Sequence, residues 1–113
     1  MTTVTPPETD LAWIAKYCAD KVPAHVRKEV RVELETRGRS VTIIDCRPPW
    51  DGGTGPWSRL KVAQLRYRPE SRDWTLHCRD RNEKWLDYLD GFSGTAAELL
   101  AEIDEDPTCI FWG

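Results

Sequence analysis

From Val30 to Cys46 the chain changes chemical character at almost every residue. Val30, Val32 and Leu34 alternate with Arg31, Glu33 and Glu35, and "SVTIIDC" returns with the same period after Gly38. A period of two describes a strand with one buried and one wet face. Gly38 allows the tight turn that joins two such strands. Whether the turn residues are Arg37-Gly38 or Gly38-Arg39, pairing parity sets Val41 and Ile43 beside Val32 and Leu34. The other face then carries Arg31, Glu33, Glu35, Thr42, Ile44 and Cys46.

The pattern continues downstream. "VAQLRYR" places Ala63, Leu65 and Tyr67 on one face and Gln64, Arg66 and Arg68 on the other. "PESRD" has turn chemistry. "WTLHCRD" then aligns Trp74, Leu76 and Cys78 with the apolar set, while Thr75, His77 and Arg79 join the polar one. "RN" turns the chain into "KWLDYL", with Glu83 where the best hairpin would have glycine. Trp85 and Leu89 are expected to face inward, and Leu86 and Tyr88 outward.

Two helices flank these strands. "TPPE" at residues 5–8 has the form of a capping box, with Thr5 as N-cap and Pro6 at the first helical position. Behind it Leu11, Ile14, Cys18 and Val22 recur at helical spacing, with Trp13 and Tyr17 expected on the same packing face. Pro23 ends that helix. "TAAE" at 95–98 is a second capping box, opening a helix whose apolar side is Leu99, Leu100 and Ile103. The apolar "TCIFWG" predicts that Ile110, Phe111 and Trp112 dock onto the body. The expected architecture is α+β, in the order α-β-β-β-β-β-α. It comprises a five-stranded antiparallel meander with helices packed on one face, forming a single domain over residues 1–113.

Composition limits the function classes. A chain of 113 residues buries roughly two-thirds of its unfolded surface, so no metal or disulfide staple is required. Sixteen Lys and Arg against nineteen Asp and Glu give a net charge of −3, which disfavours a dedicated nucleic-acid binder. The cysteines at 18, 46, 78 and 109 form no C-x-x-C and have no histidine at zinc-finger spacing, so no metal or cofactor is expected. The start "MTTVTPPETD" lacks a charged-then-apolar leader, and no apolar run is long enough to span a membrane. The expectation is a cytoplasmic protein with reduced thiols.

"RVELETRGRSVTIIDCRPPW", "LRYRPESRDWTLHCRDRNEKW" and "DPTCIFWG" together resemble a family of small bacterial proteins filed as a domain of unknown function. The resemblance runs from the first helix to the last residue, on the linked RPPW, RDRN-x-x-W and FWG elements. It implies a compact α+β domain and no particular chemistry.

Candidate functional residues fall in two places. The polar sheet face gathers Arg66, His77 and Arg79 on neighbouring strands, where opposite side chains stand about 5 Å apart. Such a group suits a phosphate, a carboxylate or an acidic segment of a protein partner. The loop "RPPWDGGTGPWSRL" sets two tryptophans between arginines, a composition found at binding hot spots. Trp50, behind two prolines, is expected as a buried anchor. Trp57 is expected as an exposed contact beside Arg47 and Arg59. The leading reading is a non-catalytic binding module for a protein or an acidic or phosphorylated ligand. Its rivals are a small enzyme using His77 and a single-stranded nucleic-acid binder in which Trp57 stacks on a base.

Overall fold

A computed structural model describes residues 5–26, 29–49 and 53–112. Helix α1 spans Glu8–Lys21. Five strands follow: β1 (Arg31–Arg37), β2 (Ser40–Arg47), β3 (Ser58–Arg68), β4 (Asp73–Arg79) and β5 (Trp85–Asp87). A two-residue strand β6 (Ser93–Gly94) precedes helix α2 (Ala96–Glu105). The strands are antiparallel in the order β1-β2-β3-β4-β5, and β6 pairs with β4 beside β5. This is the expected α+β meander, with β6 as an addition. Among the described residues β1 pairs with β2 alone, so its outer edge is open.

The registers follow the alternation. Gly38 and Arg39 make the first turn, and Gly38 has φ +58°, a backbone that side chains other than glycine's rarely accept. Leu34 faces Ile43, Val41 faces Leu65, Leu65 faces Leu76 and Tyr67 faces Trp74. These apolar residues form one cluster with Ile14 and Cys18 of α1 and Leu99, Leu100 and Ile103 of α2. Both helices therefore cover the same side of the sheet.

One irregularity redirects half of β3. Ile43 pairs with Ala63 but Ile44 pairs with Lys61, which leaves Val62 as the extra residue of a bulge. Val62 and Ala63 are both buried in the core cluster although adjacent in sequence. Upstream of the bulge the parity reverses, so Arg59 and Lys61 face away from the helices.

Three expectations are corrected. The first helix begins at Glu8, with Pro7 at the N-cap in an extended conformation and no side-chain cap. Pro6 cannot be the first helical residue because it precedes another proline, which disfavours helical backbone. Trp13 is 59% exposed and not part of the packing face, because Leu11, Ile14, Cys18 and Val22 already occupy the side of the helix turned to the sheet. At the last strand the register differs by one residue, so Trp85 pairs with Arg79 and Leu86 with Cys78, although Leu86 is 49% exposed as expected. Tyr88 is buried in the core, whereas Leu89 is exposed and Trp85 is half-buried beside Arg79. The cause lies in the turn before β5: Glu83 takes a left-handed backbone angle and the Asp80 N–H bonds the Lys84 carbonyl, so the turn is one residue longer than expected and the parity of every later position shifts.

Candidate functional site

The side of the sheet away from the helices has its residues in ordered rows. One row reads Arg37, Ser40, Arg66, Thr75 and Ser93 across β1, β2, β3, β4 and β6. The next reads Glu35, Thr42, Gln64, His77 and Asp87 across β1 to β5. Directly opposed side chains in such rows lie within about 5 Å. Beyond the bulge the face continues with Arg31, Cys46 and Arg59 on one side and with Arg79 and Trp85 on the other.

Three arginines on this face already have acidic partners. Arg59 donates to Glu33 at 2.7 Å and lies 3.9 Å from Glu35. Arg68 makes a two-pronged contact with Asp73, with Nε at 2.8 Å from Oδ1. Arg79 donates to the Glu83 carbonyl at 3.0 Å and lies 5.7 Å from the Trp85 ring centre. Arg66 differs. Its Nε donates to the amide oxygen of Gln64 at 2.7 Å, and Gln64 in turn donates to Thr42 Oγ1 at 3.0 Å. Among the described residues this half-buried guanidinium has no carboxylate within ion-pair distance.

His77 is held between two oxygens. Thr75 Oγ1 lies 2.8 Å from Nε2, and Asp87 Oδ1 lies 3.2 Å from Nδ1. Burial and the nearby Arg66 charge push its pKa below the ordinary histidine value, with Asp87 pulling weakly the other way. The neutral imidazole is therefore favoured at neutral pH. Hydroxyl, imidazole and carboxylate in that order is also the arrangement of a nucleophile, a base and an orienting group.

The sequence-predicted residues divide into groups. Arg66 and His77 meet on neighbouring strands, and Arg79 lies on the same face one row further. Arg59 shares that face through the bulge but is neutralised by Glu33. Arg47 is on the opposite face, where its Nε lies 3.4 Å from Asp45. Trp57 is half-buried, with the Arg31 guanidinium 4.4 Å from its ring centre. Trp50 lies outside the described residues. Ser40, Thr75, Ser93 and Asp87 enter the site without having been singled out. Period-two alternation already set Thr75 on this face, but the others depend on pairings that only the folded sheet reveals.

Three of the four thiols, Cys18, Cys46 and Cys78, are buried, and Cys109 is exposed. Burial pushes Cys18 up to about 11, and it raises Cys46 and Cys78 as well. Cys46 neighbours Glu33 and Arg59 instead of His77, because β3 lies between their strands. Among the described residues no three His, Cys, Asp or Glu side chains group around a common point. No described helix is long and apolar enough to cross a membrane.

No curated protein and no solved structure matches the chain. A family model described as Domain of unknown function (DUF3024) matches residues 2–113. The chain belongs to the DUF3024 family.

Proposed function

We propose that this protein is a binding module whose open sheet face seats an acidic or phosphorylated ligand at Arg66. The observation that carries this reading is the state of that guanidinium. It is half-buried, oriented by Gln64, and without an acidic partner among the described residues, whereas Arg59, Arg68 and Arg79 on the same face have one. A partly desolvated cation gains most from an anion that also finds hydrogen-bond donors. Ser40, Thr75 and Ser93 stand in its row to supply them. A row that runs across five strands suits a segment of a protein partner better than an enclosed small molecule. Net charge −3 keeps nucleic acid a poorer fit.

Fluorescence anisotropy with labelled phosphoserine and glutamate-rich peptides tests this. Binding to one of them should weaken with added salt and fall by about 10- to 100-fold in Arg66→Gln, the loss expected for a charged hydrogen bond. Arg47→Gln, altering the opposite face, should bind as the unaltered protein does. Equal binding by Arg66→Gln and the unaltered protein would overturn the reading. Hydrolysis of an ester probe that disappears in Thr75→Val would replace it with the enzyme alternative.

A further inference from the structure

The Arg66 seat leaves the neighbouring chain Thr75–His77–Asp87 without a role. We propose that the seat takes a tetrahedral oxyanion of the phosphoryl class, and that binding draws one proton from solvent onto His77 through a reversal of the Thr75 hydroxyl. This rests on the reading of Arg66 as an anion seat and adds the ligand class and the proton.

The argument begins with hydrogen-bond direction. Asp87 Oδ1 lies 3.2 Å from Nδ1 of His77, which favours the tautomer with its proton on Nδ1 and leaves Nε2 of the neutral ring as an acceptor. The Thr75 hydroxyl, 2.8 Å away, must then point its only proton inward at Nε2. In that state it offers lone pairs to the open face, which repel an anion beside Arg66. Once Nε2 is protonated the bond runs the other way, from Nε2–H to Thr75 Oγ1. The hydroxyl proton is then released from Nε2 and can turn from the Arg66 carbonyl oxygen, 3.4 Å away, to an anion seated on the guanidinium. One proton enters from solvent, no covalent bond is made or broken, and the seat gains both a donor and a positive charge.

The charges around His77 set the sign. Arg66 and Gln64 flank it from β3, Thr75 and Arg79 from its own strand, and Asp87 from β5. In the empty protein Arg66 opposes the imidazolium and Asp87 favours it. A dianion on Arg66 removes that opposition and adds its own attraction. A planar carboxylate would spend both oxygens on the guanidinium fork, whereas a phosphoryl group keeps a further oxygen for Thr75.

Calorimetry on the full chain provides the test. Sulfate serves as a tetrahedral dianion that does not itself titrate between about pH 5.5 and 7.5, phenyl phosphate as the phosphoryl probe and acetate as the carboxylate control. In buffers of different ionisation enthalpy, sulfate binding should show uptake approaching one proton. Affinity should rise as pH falls, by at most about tenfold per unit. His77→Gln should bind sulfate with no proton uptake, and Thr75→Val should lose most of the gain at low pH. Histidine NMR should show the His77 titration moving upward when sulfate is added. Sulfate bound without proton uptake, or an unmoved His77 titration, overturns this proposal and leaves the Arg66 seat standing. Acidic-peptide or acetate binding through Arg66 with none to sulfate or phenyl phosphate overturns the ligand class alone. Failure of every anion and peptide to bind overturns both readings.

Discussion

Trp74 heads the largest fully buried side chains, yet its indole N–H still requires an acceptor. Asp10 of α1 provides it at 2.9 Å, so one bond fixes the helix over the centre of the sheet. Removing that carboxylate leaves a buried donor unsatisfied. Asp10→Ala should therefore cost about 1–3 kcal/mol, and Asp10→Asn less, in urea unfolding. An unchanged midpoint in Asp10→Ala would show that the indole finds another acceptor. Tryptophan also marks where the sequence misleads. Trp13 and Trp74 are equally apolar as letters, but Trp13 sits beside the helical stripe and Trp74 sits within the alternation of a central strand. Spacing to neighbours, not residue type, separates an exposed ring from a buried one.

At the scale of elements, strands were readable because burial on one face imposes a period of two, and the sheet order follows the chain order, with short turns everywhere except between β2 and β3. The placement of Arg66, His77 and Arg79 on one face was legible for the same reason. Three features were not. The bulge at Val62 leaves only two adjacent apolar residues as its trace, and it alone brings Arg59 round to Glu33. The counter-ion pattern depends on pairings across strands distant in sequence, so the isolation of Arg66 cannot be seen in the letters. The acidic end of α2 opposes the helix dipole, yet its residues have structural uses. Glu102 accepts from Tyr88 at 2.7 Å, Asp104 accepts from Tyr17 and Lys21, and Asp106 accepts the backbone N–H groups of Phe111 and Trp112. That last pair of bonds holds the tail, where Phe111 is buried, Trp112 is half-buried and Ile110 remains 45% exposed. The turn after β5 carries strain of its own. Leu89, at φ +46°, is 59% exposed, so its side chain contributes little burial to offset the left-handed backbone. Leu89→Gly should raise stability by about 1 kcal/mol in thermal or urea unfolding. A loss instead would mean that the Leu89 side chain makes contacts worth more than the strain.

For the molecule as a whole, His77 couples stability to pH. Its folded pKa lies below the unfolded value of 6.5, chiefly through burial and then through Arg66. The unfolded chain therefore binds the proton more readily. The contribution is present in full above about pH 6.5, is lost as pH falls through that value, and levels off below the folded pKa, with a slope of at most about 1.4 kcal/mol per unit. Melting temperatures at about pH 7.5 and 5.5 should differ less in His77→Gln than in the unaltered protein; an identical difference would place the titration elsewhere. The open edge of β1 has a separate consequence, for how these molecules tolerate crowding. Unpaired strand edges are templates on which further chains can add. Here Arg31, Glu33, Glu35 and Arg37 follow one another at every second position of that strand. An incoming copy would have to lay its backbone along a line of charges of both signs, part of it already engaged by Arg59. The same residues that rim the sheet face away from the helices thus guard the fold against growth into fibrils.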